Sequence, residues 1–159
     1  MKVFLVPNYY KDEAIQSGLT LELWLTRQGV EVAWAVDQRS GIKDETDISD
    51  FDLVISLGGD GTLLRAAHLV GVNEIPILGL SYGHVGFLTA ANPEEGDILR
   101  VVSDALADEM HVSRRATLCC EVHSMLPNGE ERVIMAQALN DLALTRGPLS
   151  DMVEFDICV

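Results

Sequence analysis

Apolar residues along the chain follow two patterns, short continuous runs and stripes that recur every three or four positions. Continuous runs of Val, Ile and Leu between turn residues are typical of buried strands. Four such runs predict strands over 2–7, 30–36, 52–57 and 75–80. The stripes predict helices over 14–25, 62–70 and 98–105. Gly29 is placed to close the first helix, and the polar stretch 37–50 is expected to be a loop.

Strands that alternate with helices predict an α/β fold, in which helices cover a parallel, Rossmann-like sheet. Ligands of such folds bind outside the carboxyl ends of the strands. The sequence GGDG follows the third predicted strand directly. We therefore expect this glycine turn at the ligand-binding edge of the sheet.

The pattern changes near residue 110. From His111 onward apolar and polar residues alternate with a period of two, and LPNGEE at 126–131 is typical of a hairpin turn. We expect an α/β domain over 1–110, followed over 111–159 by the start of an antiparallel, β-rich domain. The alternating segment 152–159 ends without a turn, which predicts that the chain is a truncated part of a longer protein.

Acidic residues outnumber basic residues by 25 to 11, so the formal net charge is −14. Such a surface repels phosphate backbones and anionic lipids, and no basic patch offsets it. No apolar stretch approaches the roughly 20 residues that span a bilayer. We therefore expect no nucleic-acid partner, no membrane partner and a cytoplasmic location. The three cysteines lack a C-x-x-C spacing, so they predict buried thiols and neither a disulfide framework nor a zinc site.

The glycine turn after the third strand contains one carboxylate, Asp60. The turn and the start of the next helix offer backbone N–H groups suited to phosphate oxygens. The residues that would supply them are Gly58, Gly59, Gly61 and Thr62. An aspartate there opposes anion binding, so we expect it to hold a divalent metal against the phosphates or to accept a proton from an attacking hydroxyl. Both roles belong to phosphoryl transfer; the alternative is that Asp60 only caps the helix.

Two further segments point to a ligand. The loop GLSYGHVGFLT at 79–89 follows the fourth strand, so it would face the glycine turn across a cleft. Asn140 and Asp141 form a polar pair inside an otherwise apolar strand pattern. Adjacent side chains of a strand point to opposite faces, so both cannot face solvent if one face packs on a core. A buried polar pair needs a partner, which a ligand can supply.

GGDGT at 58–62, the loop at 79–89 and the Asn140-Asp141 pair, in this order, resemble the NAD kinase family. The family's second loop reads G-x-N-x-G-x-x-G-F-L-T, and this chain has Ser81 where the asparagine is usual. The third motif is Asn followed by Glu or Asp. The resemblance runs from the first strand to Val159, and the combination is far more specific than GGDG, which lipid kinases and phosphofructokinases share.

The resemblance implies transfer of a phosphoryl group from ATP, or in some members polyphosphate, to the 2′-hydroxyl of the adenosine ribose of NAD. The product is NADP. By this analogy Asp60 is the general base, and the glycine turn helps to hold the phosphates and Mg²⁺. Gly61 and Arg65 would contact the dinucleotide, and the flat ring of Phe87 would pack on adenine. Asn140 and Asp141 would bind the nucleoside part of NAD.

The family's C-terminal β-rich domain carries further NAD contacts that this chain lacks, so the chain alone is expected to be inactive. The resemblance also implies a homo-oligomer for the full-length protein. Two alternatives stay open. One is a lipid or sphingoid-base kinase with the same glycine turn, and the other is a non-catalytic nucleotide-binding module.

Overall fold

The computed structural model describes residues 1–82, 86–91 and 98–143. Its elements are β1 (Lys2–Pro7), α1 (Asp12–Arg27), β2 (Glu31–Trp34), β3 (Leu53–Leu57), α2 (Asp60–Val70), β4 (Ile77–Leu80), α3 (Ile98–Leu106), β5 (Leu118–Met125) and β6 (Glu131–Ala138). A short 3₁₀ turn, Gln38–Ser40, lies between β2 and β3. The chain divides into two compact units, Met1–Arg114 and Arg115–Val159.

The first unit is built on a four-stranded sheet in the order β2-β1-β3-β4. Every neighbouring pair is parallel; Leu5 of β1, for example, is in register with Trp34 of β2 and Ile55 of β3. This confirms the predicted α/β fold with a parallel sheet.

Helices cover both faces of this sheet. Because alternate residues of a strand face opposite sides, β1 contributes to two separate cores. Val3 and Leu5 pack with α1 and α3, whereas Phe4 and Val6 pack with α2. The chain therefore leaves β1 toward one face and β3 toward the other, although these two strands are neighbours. A parallel sheet has its crevice at such a switch point, outside the carboxyl ends of the strands.

The ends of two elements have clear local causes. Helix α1 ends at Arg27, and Gly29 has a φ of +78°, so the predicted glycine closure is confirmed. Strand β2 ends at Trp34, two residues before the predicted end. The N–H of Val36 donates to Oδ2 of Asp44 at 2.8 Å instead of to a neighbouring strand.

Close packing of α1 on the sheet depends on Gly18. A Cβ added there would lie 2.4 Å from Cη2 of Trp34 and 3.2 Å from Cδ1 of Leu57. Gly18→Ala should therefore lower the free energy of unfolding by about 1–3 kcal/mol despite the better helix propensity of alanine. Urea denaturation of the 159-residue chain measures this. Thr20→Ala, at an exposed position of the same helix, should change stability by less than about 0.5 kcal/mol, and equal stability of the two variants would contradict the packing.

The second unit contains the antiparallel hairpin of β5 and β6, as predicted. Gly129 takes a φ of +82° in the turn, which favours glycine. Cys119 is exposed and Cys120 is only half-buried, so the expected burial is wrong for these two thiols, because a two-stranded hairpin has too little structure to enclose them. Cys158 and the predicted strand 152–159 lie outside the described residues. Within the described ranges, no helix is long and apolar enough to cross a membrane.

Candidate functional site

Three segments of the first unit meet at the carboxyl edge of the sheet: residues 8–11 after β1, the turn 58–61 after β3 and the loop 86–91 after β4. Backbone hydrogen bonds join these segments to neighbouring strands. They run from Asn8 N to Leu57 O, from Gly58 N to Leu80 O and from Ala90 N to Gly79 O, each at 2.8 Å. The glycine turn and the second glycine loop are thus brought together at one edge, as the sequence predicts.

Helix α2 begins inside the glycine turn. Its N-cap is Gly59, and Asp60 is its first residue, so the alternative that Asp60 caps the helix is wrong. The N–H groups of Thr62 and Leu63 donate back to the Gly59 carbonyl at 2.9 and 3.2 Å, so the prediction that the Thr62 N–H is a phosphate donor is wrong. Among the residues that the structure describes, the N–H groups of Gly59, Asp60 and Gly61 have no hydrogen-bond partner. These are donors that a phosphate oxygen can take.

Gly58 differs from the other glycines of the turn. Its N–H donates to the Leu80 carbonyl, because the ladder between β3 and β4 continues one residue past the end of β3. The prediction that this N–H is a phosphate donor is therefore wrong. A Cβ added at Gly58 would lie 2.2 Å from Oγ1 of Thr62, a residue that is itself buried. Gly58 thus serves close packing beneath the turn.

The Asp60 carboxylate is held by the loop after β4. Its Oδ2 accepts the N–H of Phe87 at 3.0 Å, and its Oδ1 accepts the N–H of Leu88 at 3.1 Å. Gly86 makes this approach possible, since a Cβ there would lie 2.1 Å from Oδ1. A carboxylate has about four lone-pair positions. Two backbone bonds therefore fix its orientation and leave acceptor capacity for a proton or a cation.

A surface cleft of about 310 Å³ lies on the glycine turn. Its lining comes from the segment between β1 and α1, the 3₁₀ turn, the glycine turn and the start of α2. The lining residues are Asn8, Tyr10, Lys11, Gln38, Gly59, Gly61 and Thr62. None of them is acidic, although the chain has 25 Asp and Glu residues. A cleft whose described lining has no carboxylate suits an anionic ligand.

Lys11 is the cation in this lining. Its Nζ donates to the carbonyl of Tyr82, and no carboxylate within the described part of the chain lies within 4 Å of it. An ammonium group has three donors, so two remain for a ligand. The sequence analysis missed Lys11, Asn8 and Gln38. The sequence signal that could have found two of them was their position, because Asn8 and Lys11 lie in the short segment after the first strand, at the ligand-binding edge.

Arg65 lies on α2 and is only 20% exposed. Its guanidinium donates to the carbonyls of Pro7 and Val36 and to Oε1 of Gln38, and it pairs with Asp44. All these contacts are with protein acceptors. The expected contact of Arg65 with a dinucleotide stays a prediction.

The remaining residues expected to contact the ligand belong to different units of the chain. The Phe87 side chain is 99% exposed, so it belongs to no core and its ring is free to stack on a base. Asn140 and Asp141 belong to the second unit, where they follow the end of β6 and are exposed. Their expected place inside a strand and their expected burial are wrong, because the ladder between β5 and β6 ends at the pair Leu118 and Ala138. Their role in binding stays a prediction.

The described residues contain no group of three or more His, Cys, Asp or Glu side chains that could hold a metal ion. Asp60 is the carboxylate at the glycine turn, with acceptor capacity left after its two backbone bonds. Mg²⁺ commonly binds one or two carboxylates together with substrate phosphates and waters. The residues present therefore fit a Mg²⁺ that arrives with phosphate.

The first unit has the features of a nucleotide-binding α/β domain. At the switch point of its parallel sheet lie a glycine turn, the start of a helix and a cleft whose one charged lining residue among those described is a lysine. Residues 3–110 match the family model described as the ATP-NAD kinase N-terminal domain. The chain belongs to the NAD kinase family.

Curated relatives agree with this membership. The chain is 36% identical to the NAD kinase of Solibacter usitatus over 145 residues, which cover 86% of this chain and 47% of that protein. It is 33% identical to the NAD kinase of Geobacter sulfurreducens, over 87% of this chain and 50% of that protein. With the NAD kinase of Saccharophagus degradans it shares 33% identity over 99% of this chain and 54% of that protein. The chain thus spans about half the length of the curated relatives it matches.

Proposed function

We propose that the protein to which this chain belongs is an NAD kinase, which transfers the terminal phosphoryl group of ATP to the 2′-hydroxyl of the adenosine ribose of NAD. In this reaction the 2′-oxygen forms a bond to phosphorus, the bond from phosphorus to ADP breaks, and the hydroxyl proton leaves to a base. The observation that carries the proposal is the Asp60 carboxylate, which two backbone N–H groups orient at the head of α2.

Asp60 suits the role of general base. Its two bonds come from the backbone of one loop, so its position does not depend on flexible side chains. Phosphoryl transfer is catalysed mainly by positioning and by neutralisation of charge. A carboxylate fixed in this way can accept the 2′-hydroxyl proton as the new bond to phosphorus forms.

The cleft beside the turn is the proposed place for the phosphates of ATP. Among the described residues, the cleft is lined by Gly59 and Gly61 with open N–H groups, by Lys11 with its ammonium, and by no carboxylate. Phosphate held there would lie on the glycine turn that contains Asp60. The proposal therefore puts the phosphoryl donor on the cleft side of the turn and the NAD ribose on the side of the loop 86–91.

Mg²⁺ is the proposed cation, and phosphate oxygens at the glycine turn would be its main ligands, because Asp60 is assigned to the 2′-hydroxyl proton. Bound there, it would neutralise charge on the phosphates. Phe87, exposed on the loop that contacts Asp60, is the proposed platform for the adenine of NAD. Asn140 and Asp141 are the proposed contacts to its nucleoside part. Five further expectations stay predictions. They are the two-domain division near residue 110, the homo-oligomer, the cytoplasmic location, polyphosphate as donor and the inactivity of the isolated chain.

A panel of phosphoryl acceptors tests the proposal. The longest protein that the gene encodes is incubated with Mg²⁺ and ATP labelled in the γ-phosphate, and with NAD, NADH, a diacylglycerol or a sphingoid base. Label in NADP with none in lipid is the expected result. Label in lipid alone would support the lipid kinase alternative, and no transfer to any acceptor would support the non-catalytic binding module.

Lys11 gives a prediction for the phosphate side of the site. Lys11→Gln removes the ammonium from the cleft, and a hydrogen bond to a charged group contributes about 1.5–3 kcal/mol. The KM for ATP should therefore rise about 10- to 100-fold, while the KM for NAD changes little. Lys43→Gln is the matched control, because Lys43 is exposed and pairs with Glu45. An unchanged KM for ATP in Lys11→Gln would remove Lys11 from the phosphate site.

A further inference from the structure

Arg65 connects four parts of the first unit. Its Nη1 donates to the Pro7 carbonyl at 3.4 Å and to Oε1 of Gln38 at 3.1 Å. Its Nη2 donates to the Val36 carbonyl and lies 3.8 Å from Oδ2 of Asp44. These acceptors lie at the ends of β1 and β2 and in the segment that leads to β3. Arg65 thus ties α2 to the residues that follow two strands.

Asp44 contacts both Arg65 and the backbone of Val36. Its side chain is 8% exposed, and the carboxylate oxygen that faces Arg65 also accepts the N–H of Val36 at 2.8 Å. Each member of this ion pair also forms a hydrogen bond with the backbone of Val36, and these bonds restrict the position of the guanidinium. The guanidinium therefore lies between Asp44 on one side and Oε1 of Gln38, to which it donates, on the other.

Gln38 is the member of this network that lines the cleft. Arginine has donors and no acceptor, so Gln38 must present its carbonyl oxygen to Arg65. The amide NH₂ group of Gln38 takes no part in this contact, and it has two N–H donors. A pair of donors at the wall of a cleft whose described lining has no carboxylate suits phosphate oxygens.

We infer that Arg65 is a positioning residue, which orients Gln38 at the wall of the phosphate cleft and so sets the affinity for ATP without touching either nucleotide. This inference rests on the proposed function for the identity of the ligand. It is an alternative to the direct contact between Arg65 and the dinucleotide that the family resemblance implies.

A double-mutant cycle on Arg65 and Gln38 tests the inference in the longest protein that the gene encodes. Arg65→Lys keeps the charge and loses the fork that reaches Gln38, so the KM for ATP should rise about 5- to 10-fold with kcat and the KM for NAD unchanged, since about one hydrogen bond is lost. In a Gln38→Ala background the same substitution should have little further effect. Arg27→Lys, at an exposed position at the end of α1, is the control and should leave all constants unchanged.

Gln38→Glu separates positioning from stability. It keeps an acceptor for Arg65 and removes the two donors, so the melting temperature should hold while the KM for ATP rises. A rise in the KM for NAD in Arg65→Lys, or full additivity with Gln38→Ala, would overturn the inference in favour of direct contact. A loss of melting temperature in Arg65→Lys with both KM values unchanged would overturn it in favour of a purely structural role.

Calorimetric titration of ATP keeps this test separate from the proposed function. If the wild-type protein makes no NADP, the proposed function fails, and the inference is then judged by the Kd for ATP of the same variants. A Kd raised by Arg65→Lys and unaffected by it in the Gln38→Ala background would support the inference. Equal Kd values for wild type and Arg65→Lys would overturn it.

Discussion

Asp60→Asn should reduce kcat for NADP formation by about 10²- to 10⁴-fold, which is the usual contribution of a general base. The amide keeps the size of the side chain, and its oxygen can still accept one N–H of the loop 86–91. It cannot accept the 2′-hydroxyl proton. Binding of NAD, measured by calorimetry, should therefore change far less than turnover, because the substitution removes an interaction needed in the transition state.

Asp12→Asn is the control for this experiment. Asp12 is an exposed aspartate at the start of α1, so its substitution changes the net charge by the same amount at the start of another helix. It should leave kcat unchanged. If Asp60→Asn retained wild-type turnover, Asp60 would not be the general base. The glycine turn would then serve nucleotide binding and not catalysis.

Gly86→Ala should also reduce turnover by more than tenfold, although residue 86 contributes no functional group. A Cβ there would lie 2.1 Å from Oδ1 and 2.4 Å from Cγ of Asp60. Either the carboxylate or the loop must move, and both backbone bonds to Asp60 depend on their present distance. Overpacking of this kind costs about 1–3 kcal/mol of stability, so the free energy of unfolding of the 159-residue chain should fall as well.

Gly61→Ala is the stability control for Gly86→Ala. Nothing lies within 4 Å of a Cβ added at Gly61, and alanine favours a helix over glycine by up to about 1 kcal/mol. Its free energy of unfolding should therefore be equal to that of the wild type or higher. Wild-type turnover in Gly86→Ala would mean that the contact between the loop and Asp60 is not required for catalysis.

The parallel sheet was predictable because β1, β3 and β4 are almost entirely buried and therefore appear as continuous apolar runs. Predicted and observed strand ends differ by one or two residues where a side chain takes over a backbone bond, as Asp44 does at Val36. The place of Asp60 at the carboxyl edge followed from the strand before it. These features depend on residues close together in the sequence.

The partners of the site residues were not predictable in the same way. The contact between Asp60 and Phe87 spans 27 positions, and that between Arg65 and Gln38 also spans 27. The order of strands placed the two glycine loops at one edge of the sheet, but periodicity did not show which of their atoms would form hydrogen bonds. The alternating pattern also gave no reason to expect the Asn140-Asp141 pair beyond the end of a strand, because it does not show where the hydrogen bonds between β5 and β6 stop.

Phosphorus-31 NMR of the product tests the central claim most directly. The longest protein that the gene encodes is incubated with Mg²⁺, ATP and NAD, and the spectrum of the dinucleotide product is recorded. The account predicts a new phosphate monoester on the 2′-carbon of the adenosine ribose, with the pyrophosphate of NAD intact and one ADP formed for each monoester. Consumption of ATP to ADP and inorganic phosphate without a 2′-monoester, or no reaction with NAD, would contradict it.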